Sequence, residues 1–298
     1  MTCRKIGRPH LIFKIMERQW IDKLYTKGSM RFYAPGKWID GELNSGKRGQ
    51  GDKYEGVFAI DRGGNDRESV FRKRYKKQLI VSRDGDNKYY QLDKTIKSPT
   101  YCFYSLADEH FDIPDNIDDA GIYEITANIE GKYFKDFANG MAKEEVEKLP
   151  TENQPAMLII FGYDNVMLFL KKVKMALKDK YGITDTDFLV DQVKYDYTRT
   201  DVVSYTSSRS NPPKELFYKG KEFENQCEGR IVINSNRYKF EDFYNDYLEI
   251  EIGSMKEFAT VYYGYTPEGQ HICLEASIME AQKIIERDGV LYEGYGGI

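Results

Sequence analysis

Glu228 and Arg230 stand two residues apart in Glu228-Gly229-Arg230-Ile231-Val232-Ile233, a run with the composition of a strand. Side chains two apart on a strand share a face, so these two form a carboxylate–guanidinium pair. Its plain reading is a surface ion pair worth at most ~1 kcal/mol. A second acidic set, Asp52 and Glu55, lies in Gly51-Asp52-Lys53-Tyr54-Glu55-Gly56, and its plain reading is a solvated loop. A third is Pro114-Asp115 followed by Glu130-Gly131-Lys132. With E-x-K on a strand, its two carboxylates could hold Mg²⁺ while Lys132 orients a water, the loose pattern of a metal-dependent nuclease. In a chain that is 31% charged the pattern arises readily by chance, and Asp86-Asn87-Lys88 matches its second half equally well.

Other chemistries find little to stand on. His10, His110 and His271 share no ligand spacing, so no histidine metal site is expected and each reads as a surface or capping residue. Cys3, Cys102, Cys227 and Cys273 form no C-x-x-C pair, against a zinc ribbon or a disulfide framework. No P-loop, G-x-S-x-G elbow, H-E-x-x-H or dinucleotide fingerprint occurs.

The elements that must position these residues follow from apolar spacing and breakers. Residues 11–13 predict a first strand, 18–27 a helix presenting Trp20, Ile21 and Leu24 and stopped by Gly28, and 30–33 a second strand ended by a Pro35-Gly36 turn. Residues 40–66 read as a long surface loop around an ordered-looking 54–60, and 78–92 as a hairpin turning at Asp84-Gly85-Asp86-Asn87. Strands are expected at 100–105 and 121–128, with a loop at 108–119. Val166, Leu170, Val173 and Leu177 recur at helical spacing over 165–180, with Gly182 beyond the end. Further strands are expected at 187–197, 228–233, 248–252 and 259–263, a polar connection at 198–213, and a closing helix over 276–287. Many short strands among a few helices, without βαβ alternation, predict an α+β fold. We read one domain over 1–298 with loop insertions at about 40–66 and 198–213.

At 298 residues and 41% hydrophobic, the chain has ample material for a core. A net charge of -4 gives no global basic field for nucleic acid. The cationic runs at 67–83 and 171–180 read as solvated faces, with a local nucleic-acid site as the alternative. No stretch approaches the ~18 apolar residues of a membrane span, and residues 1–20 lack the apolar core of a signal peptide. The expected compartment is the cytoplasm. The 24 tyrosines suit a partly wet sheet, or a contact surface.

A scattered series links these pieces: Phe13-Lys14, then Lys27-Gly28-Ser29-Met30-Arg31-Phe32, the Gly51 to Gly56 loop, Tyr101-Cys102-Phe103-Tyr104-Ser105, Leu216-Phe217-Tyr218-Lys219 and Cys227-Glu228-Gly229-Arg230-Ile231. The series resembles an uncharacterised bacterial family, and its opening strand, helix and strand resemble the ADP-ribosyltransferase superfamily. That resemblance implies a twisted, split, mainly antiparallel sheet with packed helices. It also implies NAD as substrate and transfer of ADP-ribose to a macromolecular target, protein or nucleic acid, in bacterial or phage conflict. By position it makes Glu228 the catalytic acid, a carboxylate beside an oxocarbenium-like centre. It puts Lys14 and Arg31 at phosphate or ribose, Tyr33 and Phe103 on the nicotinamide side and Arg230 among the cofactor-binding residues, with Asp52 and Glu55 as loop candidates. Lys14 stands where the superfamily has His or Arg, whose planar contacts a lysine cannot reproduce. A non-enzymatic reading stands beside this one: an interaction or inhibitor protein of a phage or defence system that uses its loops and tyrosines as a contact surface.

Overall fold

Residues 11–13 form the centre of a nine-residue strand, Pro9–Glu17, in the computed structural model. The structure describes residues 9–39, 55–63, 66–107, 110, 122–138, 140–195, 214–234, 247–265 and 269–277. Within them the fold is mixed α+β with mainly antiparallel pairing, as the scatter of short strands required. Two units emerge, each drawn from segments distant in sequence. One takes Met1–Thr26, Tyr104–Lys171 and Ser254–Ile298, the other Lys27–Phe103 and Lys172–Gly253. No helix among the described residues is long and apolar enough to cross a membrane.

In the first unit, Pro9–Glu17 pairs antiparallel with Pro155–Phe161, from Leu11 opposite Phe161 to Glu17 opposite Pro155. Its other edge meets the end of Thr100–Ala107, with Phe13 opposite Tyr104. Thr260–Tyr263 adds beyond Pro155–Phe161. Leu11, Ile12, Phe13 and Ile15 are all buried, and burial of consecutive residues marks a strand covered on both faces. Phe13 stacks on Tyr104 at 4.1 Å between ring centres, and Tyr133 meets Phe13 edge-on at 5.8 Å. The helix Arg18–Lys27 follows without a break and buries Ile21 and Leu24 at helical spacing. Ile122–Glu130 pairs with Gly269–Ser277 over nine residues. This corrects one expectation: residues 276–277 end a strand and do not open a helix, and 278–287 lie outside the described residues.

In the second unit, Gly28 ends the first helix at φ 66°, a left-handed conformation that favours glycine. Ser29–Phe32 then pairs with Leu248–Glu251. Residues 35–39 are helical where a Pro35-Gly36 turn was expected. Proline at a first helical position loses nothing, since that N–H has no partner in the helix. Val57–Asp61, Asn87–Leu92 and Leu79–Asp84 make a three-stranded sheet with Asn87–Leu92 central, and the expected hairpin turns at residues 85–86. The helix Glu68–Tyr75 lays Phe71 on this sheet, with ring centres at 5.2 Å from Phe58 and 4.8 Å from Tyr90. The helix Tyr163–Tyr181, divided between the units at Lys171, buries Val166, Leu170, Val173 and Leu177 as its spacing required.

Asp61 is buried beside that aromatic cluster and accepts from the Tyr90 hydroxyl at 2.6 Å, the Arg67 backbone N–H at 2.8 Å and Arg67 Nε at 2.5 Å. Burial alone would push its carboxyl up, but the bonds from Tyr90 and Arg67 outweigh it and hold the group below its ordinary value of 3.8. A carboxyl depressed on folding contributes stability that is full above 3.8 and is lost as pH falls through the lower folded value. Asp61→Asn is therefore expected to lose roughly 1–3 kcal/mol at pH 7, the cost of disrupting a buried polar network. The gap from the unsubstituted chain should narrow in urea melts as pH drops below 3.8. A gap that stays constant into acid would contradict this account of Asp61.

Candidate functional site

The Glu228–Ile233 strand pairs antiparallel with Phe188–Gln192, and all six of its residues are buried. Glu228 and Arg230 share a face as their spacing required, but the face is interior. Arg230 is fully buried and Glu228 is 7% exposed, so the expected surface ion pair is corrected to a buried one. The physical reason lies in the strand itself. Gly229, Ile231, Val232 and Ile233 are the residues of a strand covered on both sides, which leaves a charge at 228 or 230 no route to water.

Buried charges need partners, and these have them. Arg230 Nε donates to Glu228 Oε1 at 2.6 Å. Its Nη1 donates to Glu55 Oε1 and to the Leu216 carbonyl, and its Nη2 donates to Glu55 Oε2 at 3.2 Å. The Arg230–Glu55 pair is thus bidentate, the geometry a planar guanidinium offers and a lysine does not. Lys219 Nζ donates to Glu228 Oε2 at 2.6 Å and to Gln226 Oε1 at 2.9 Å. Two carboxylates face two cations, and the cluster is neutral.

Short local elements bring these groups together. Glu55 lies just before Val57–Asp61, and its backbone carbonyl accepts from Gln91 Nε2 at 2.6 Å. Its solvated-loop reading is corrected as well, since Glu55 is fully buried. Leu216 belongs to the 3₁₀ turn Lys214–Phe217, where Thr95 Oγ1 donates to the buried Glu215 at 2.7 Å. Lys219 lies on the two-residue strand Tyr218–Lys219, which pairs parallel with Lys194–Tyr195. The Tyr195 hydroxyl accepts the Glu228 backbone N–H at 2.7 Å. Cys227, at φ 35°, turns the chain from the helical stretch Lys221–Gln226 into the Glu228 strand.

Titration follows burial and pairing. Burial pushes the Glu228 carboxyl up, but the charges of Arg230 and then Lys219 overcome it, and the group is held well below the usual carboxylate range. Burial pushes Lys219 down, and the Glu228 charge more than restores it, so its ammonium is raised above the ordinary value. The Tyr195 phenol is pushed up by burial and by the Glu228 charge and stays protonated. At neutral pH Glu228 therefore has no proton to give. Each of its oxygens already accepts a charged donor.

Other candidates fall elsewhere. Phe103 is buried with its ring against Gly229, where an added Cβ would overlap it, so it joins the cluster as packing. Arg31, on Ser29–Phe32, donates from Nε to Glu249 at 3.0 Å and lies 4.2 Å from the Tyr247 ring centre. Tyr33 bridges to Thr100 and sits 5.8 Å from the same Tyr247 ring. Lys14 lies opposite Leu158 in the first unit. Asp52 and Asp115 lie outside the described residues. The expected E-x-K strand is broken, because Glu130 ends one strand and Gly131 starts the helix Gly131–Phe137, in which Lys132 pairs with Asp136 at 2.7 Å. The Nδ1 of His110 accepts the Ala107 backbone N–H at 3.1 Å. No cluster able to hold a metal ion occurs among the described residues.

Sequence reasoning missed Lys219, Gln226 and Tyr195 as members of the site. Lys219 carried a signal, since its neighbours Leu216, Phe217 and Tyr218 form an apolar run that buries whatever follows it. No protein-family model, curated protein or solved structure matches the chain.

Proposed function

We propose that this chain acts by binding, and that the Glu228–Arg230 cluster is an internal strut supporting a contact surface. The observation that supports this reading is the saturation of both carboxylates: all four oxygens of Glu55 and Glu228 accept from Arg230 or Lys219. A carboxylate so held must lose a buried ion pair before it can meet a substrate, at a cost of several kcal/mol.

A second reading, ADP-ribose transfer from NAD to a macromolecular target on an ADP-ribosyltransferase-like fold, draws on a different observation. Glu228, Arg230, Glu55 and Phe103, four of the positions that its resemblance or loop pattern singles out, meet around one strand. Under it, Lys219 or Arg230 would give up Glu228 to the nicotinamide ribose.

Titration with NAD, followed by calorimetry and thermal melting, separates the two. A ligand that binds only the folded chain stabilises it by ~2.7 kcal/mol at 100 times its dissociation constant. The binding reading expects no saturable heat and no shift. A saturable shift abolished by Glu228→Gln would overturn it in favour of the transferase.

A further inference from the structure

The helix Glu68–Tyr75 is amphipathic in an unusual sense. Arg67, Phe71 and Tyr75, spaced four apart, face the three-stranded sheet, where Phe71 meets Phe58 and Tyr90 and Arg67 grips Asp61. The opposite stripe is Val70, Lys73, Arg74 and then Lys77 in the following 3₁₀ turn, all of them exposed. From residue 69 to residue 83 the chain carries Arg72, Lys73, Arg74, Lys76, Lys77 and Arg83 and no acidic residue, within a protein of net charge -4.

Local carboxylates take up only part of this charge. Glu68 receives Arg72 at 2.7 Å, Arg83 at 3.3 Å and Lys88 at 3.3 Å, three cations on one carboxylate. Lys73, Lys76 and Lys77 are exposed and form no ion pair among the described residues. Arg74 lies over the Tyr75 ring at 5.4 Å. Three of these cations fall in the last turn of the helix, where the helix dipole favours positive charge; the dipole accounts for Arg72, Lys73 and Arg74 but not for Lys76 and Lys77 beyond them.

We propose that this face binds nucleic acid through its phosphate backbone. The inference rests on the binding reading above and names a partner class for it. Clustered, exposed lysines on a rigid element make a sequence-independent phosphate contact, driven by counterion release. A lipid surface fits less well, because a membrane-lying helix turns its bulky apolar residues outward. Here Phe71 and Tyr75 are committed to the chain's own sheet, and the outward apolar residue is Val70, 62% exposed.

The test is fluorescence anisotropy of a mixed-sequence DNA duplex of about 20 base pairs with the full chain, titrated with salt from roughly 50 to 200 mM. Binding is expected at low salt, with log K falling against log salt at a slope of about −3, for three to four neutralised phosphates. Lys73→Gln/Lys76→Gln/Lys77→Gln, exposed and so expected to melt like the unsubstituted chain, should lose roughly tenfold or more and flatten the slope. No binding at low salt, an unchanged affinity in the triple variant, or tighter binding to anionic vesicles or to polyglutamate than to the duplex would each overturn the inference. Its failure is distinguishable from failure of the binding reading, which is read separately from the NAD titration of the same preparation.

Discussion

Replacing Arg230 with methionine is expected to remove about 3–5 kcal/mol of stability, the cost of breaking a buried ion network by deleting one partner. Methionine keeps much of the volume, so the loss reports charge and hydrogen bonds more than a cavity. Glu55 would lose both guanidinium bonds, and Glu228 would keep Lys219 as its remaining cationic partner. The Leu216 carbonyl would lose its guanidinium contact as well. At roughly 2–4 °C per kcal/mol for a chain of this size, the melting temperature should fall by about 10 °C. Glu55 is held through the same guanidinium, so a double-mutant cycle of Arg230→Met with Glu55→Gln should show strong coupling. A loss under about 1 kcal/mol, no more than a surface pair contributes, would contradict a structural role for the network.

The second large effect is at Gly28. Two helices end on a left-handed glycine, Gly28 at φ 66° and Gly182 at φ 67°, so an L side chain meets the same backbone penalty at both, about 1–2 kcal/mol. Their surroundings differ. A Cβ at Gly182 meets nothing within 4 Å, whereas one at Gly28 would overlap the Gly253 carbonyl oxygen and the Ile252 side chain. Those atoms are fixed, because Ile252 N donates to Gly28 O at 3.1 Å and Gly253 N to Lys27 O at 3.1 Å. Gly28→Ala should therefore cost about 2–5 kcal/mol, adding a 1–3 kcal/mol overpacking term, and Gly182→Ala about 1–2. Equal losses in parallel urea melts would mean that the Gly28 site relaxes freely.

Those two glycines illustrate what local sequence can carry. A helical period followed by glycine is a local signal, and it placed Arg18–Lys27 with its stop and the end of Tyr163–Tyr181. The hairpin of Leu79–Asp84 and Asn87–Leu92 was equally legible from its turn residues. The site was harder. Spacing put Glu228 and Arg230 on one face, but which face is interior depends on Glu55, Leu216 and Lys219, between 9 and 175 residues away. The apolar residues filling the rest of the Glu228 strand were the available warning. Glu55 was misread because its Gly-, Asp- and Lys-rich neighbours have loop composition, although the carboxylate itself points inward. The helix Glu68–Tyr75 was missed because its cations at 72–74 hide the inward period of Arg67, Phe71 and Tyr75.

Glu228 is the shared counter-charge of Arg230 and Lys219 inside a buried network. Urea unfolding of Glu228→Gln at neutral pH tests this most directly, since the change keeps shape and removes charge. Arg230 and Lys219 would remain buried with one carboxylate in place of two, and the expected loss is about 3 kcal/mol, toward the lower end of what a broken buried pair costs. A variant as stable as the unsubstituted chain would contradict the account and mark Glu228 as a residue held for chemistry.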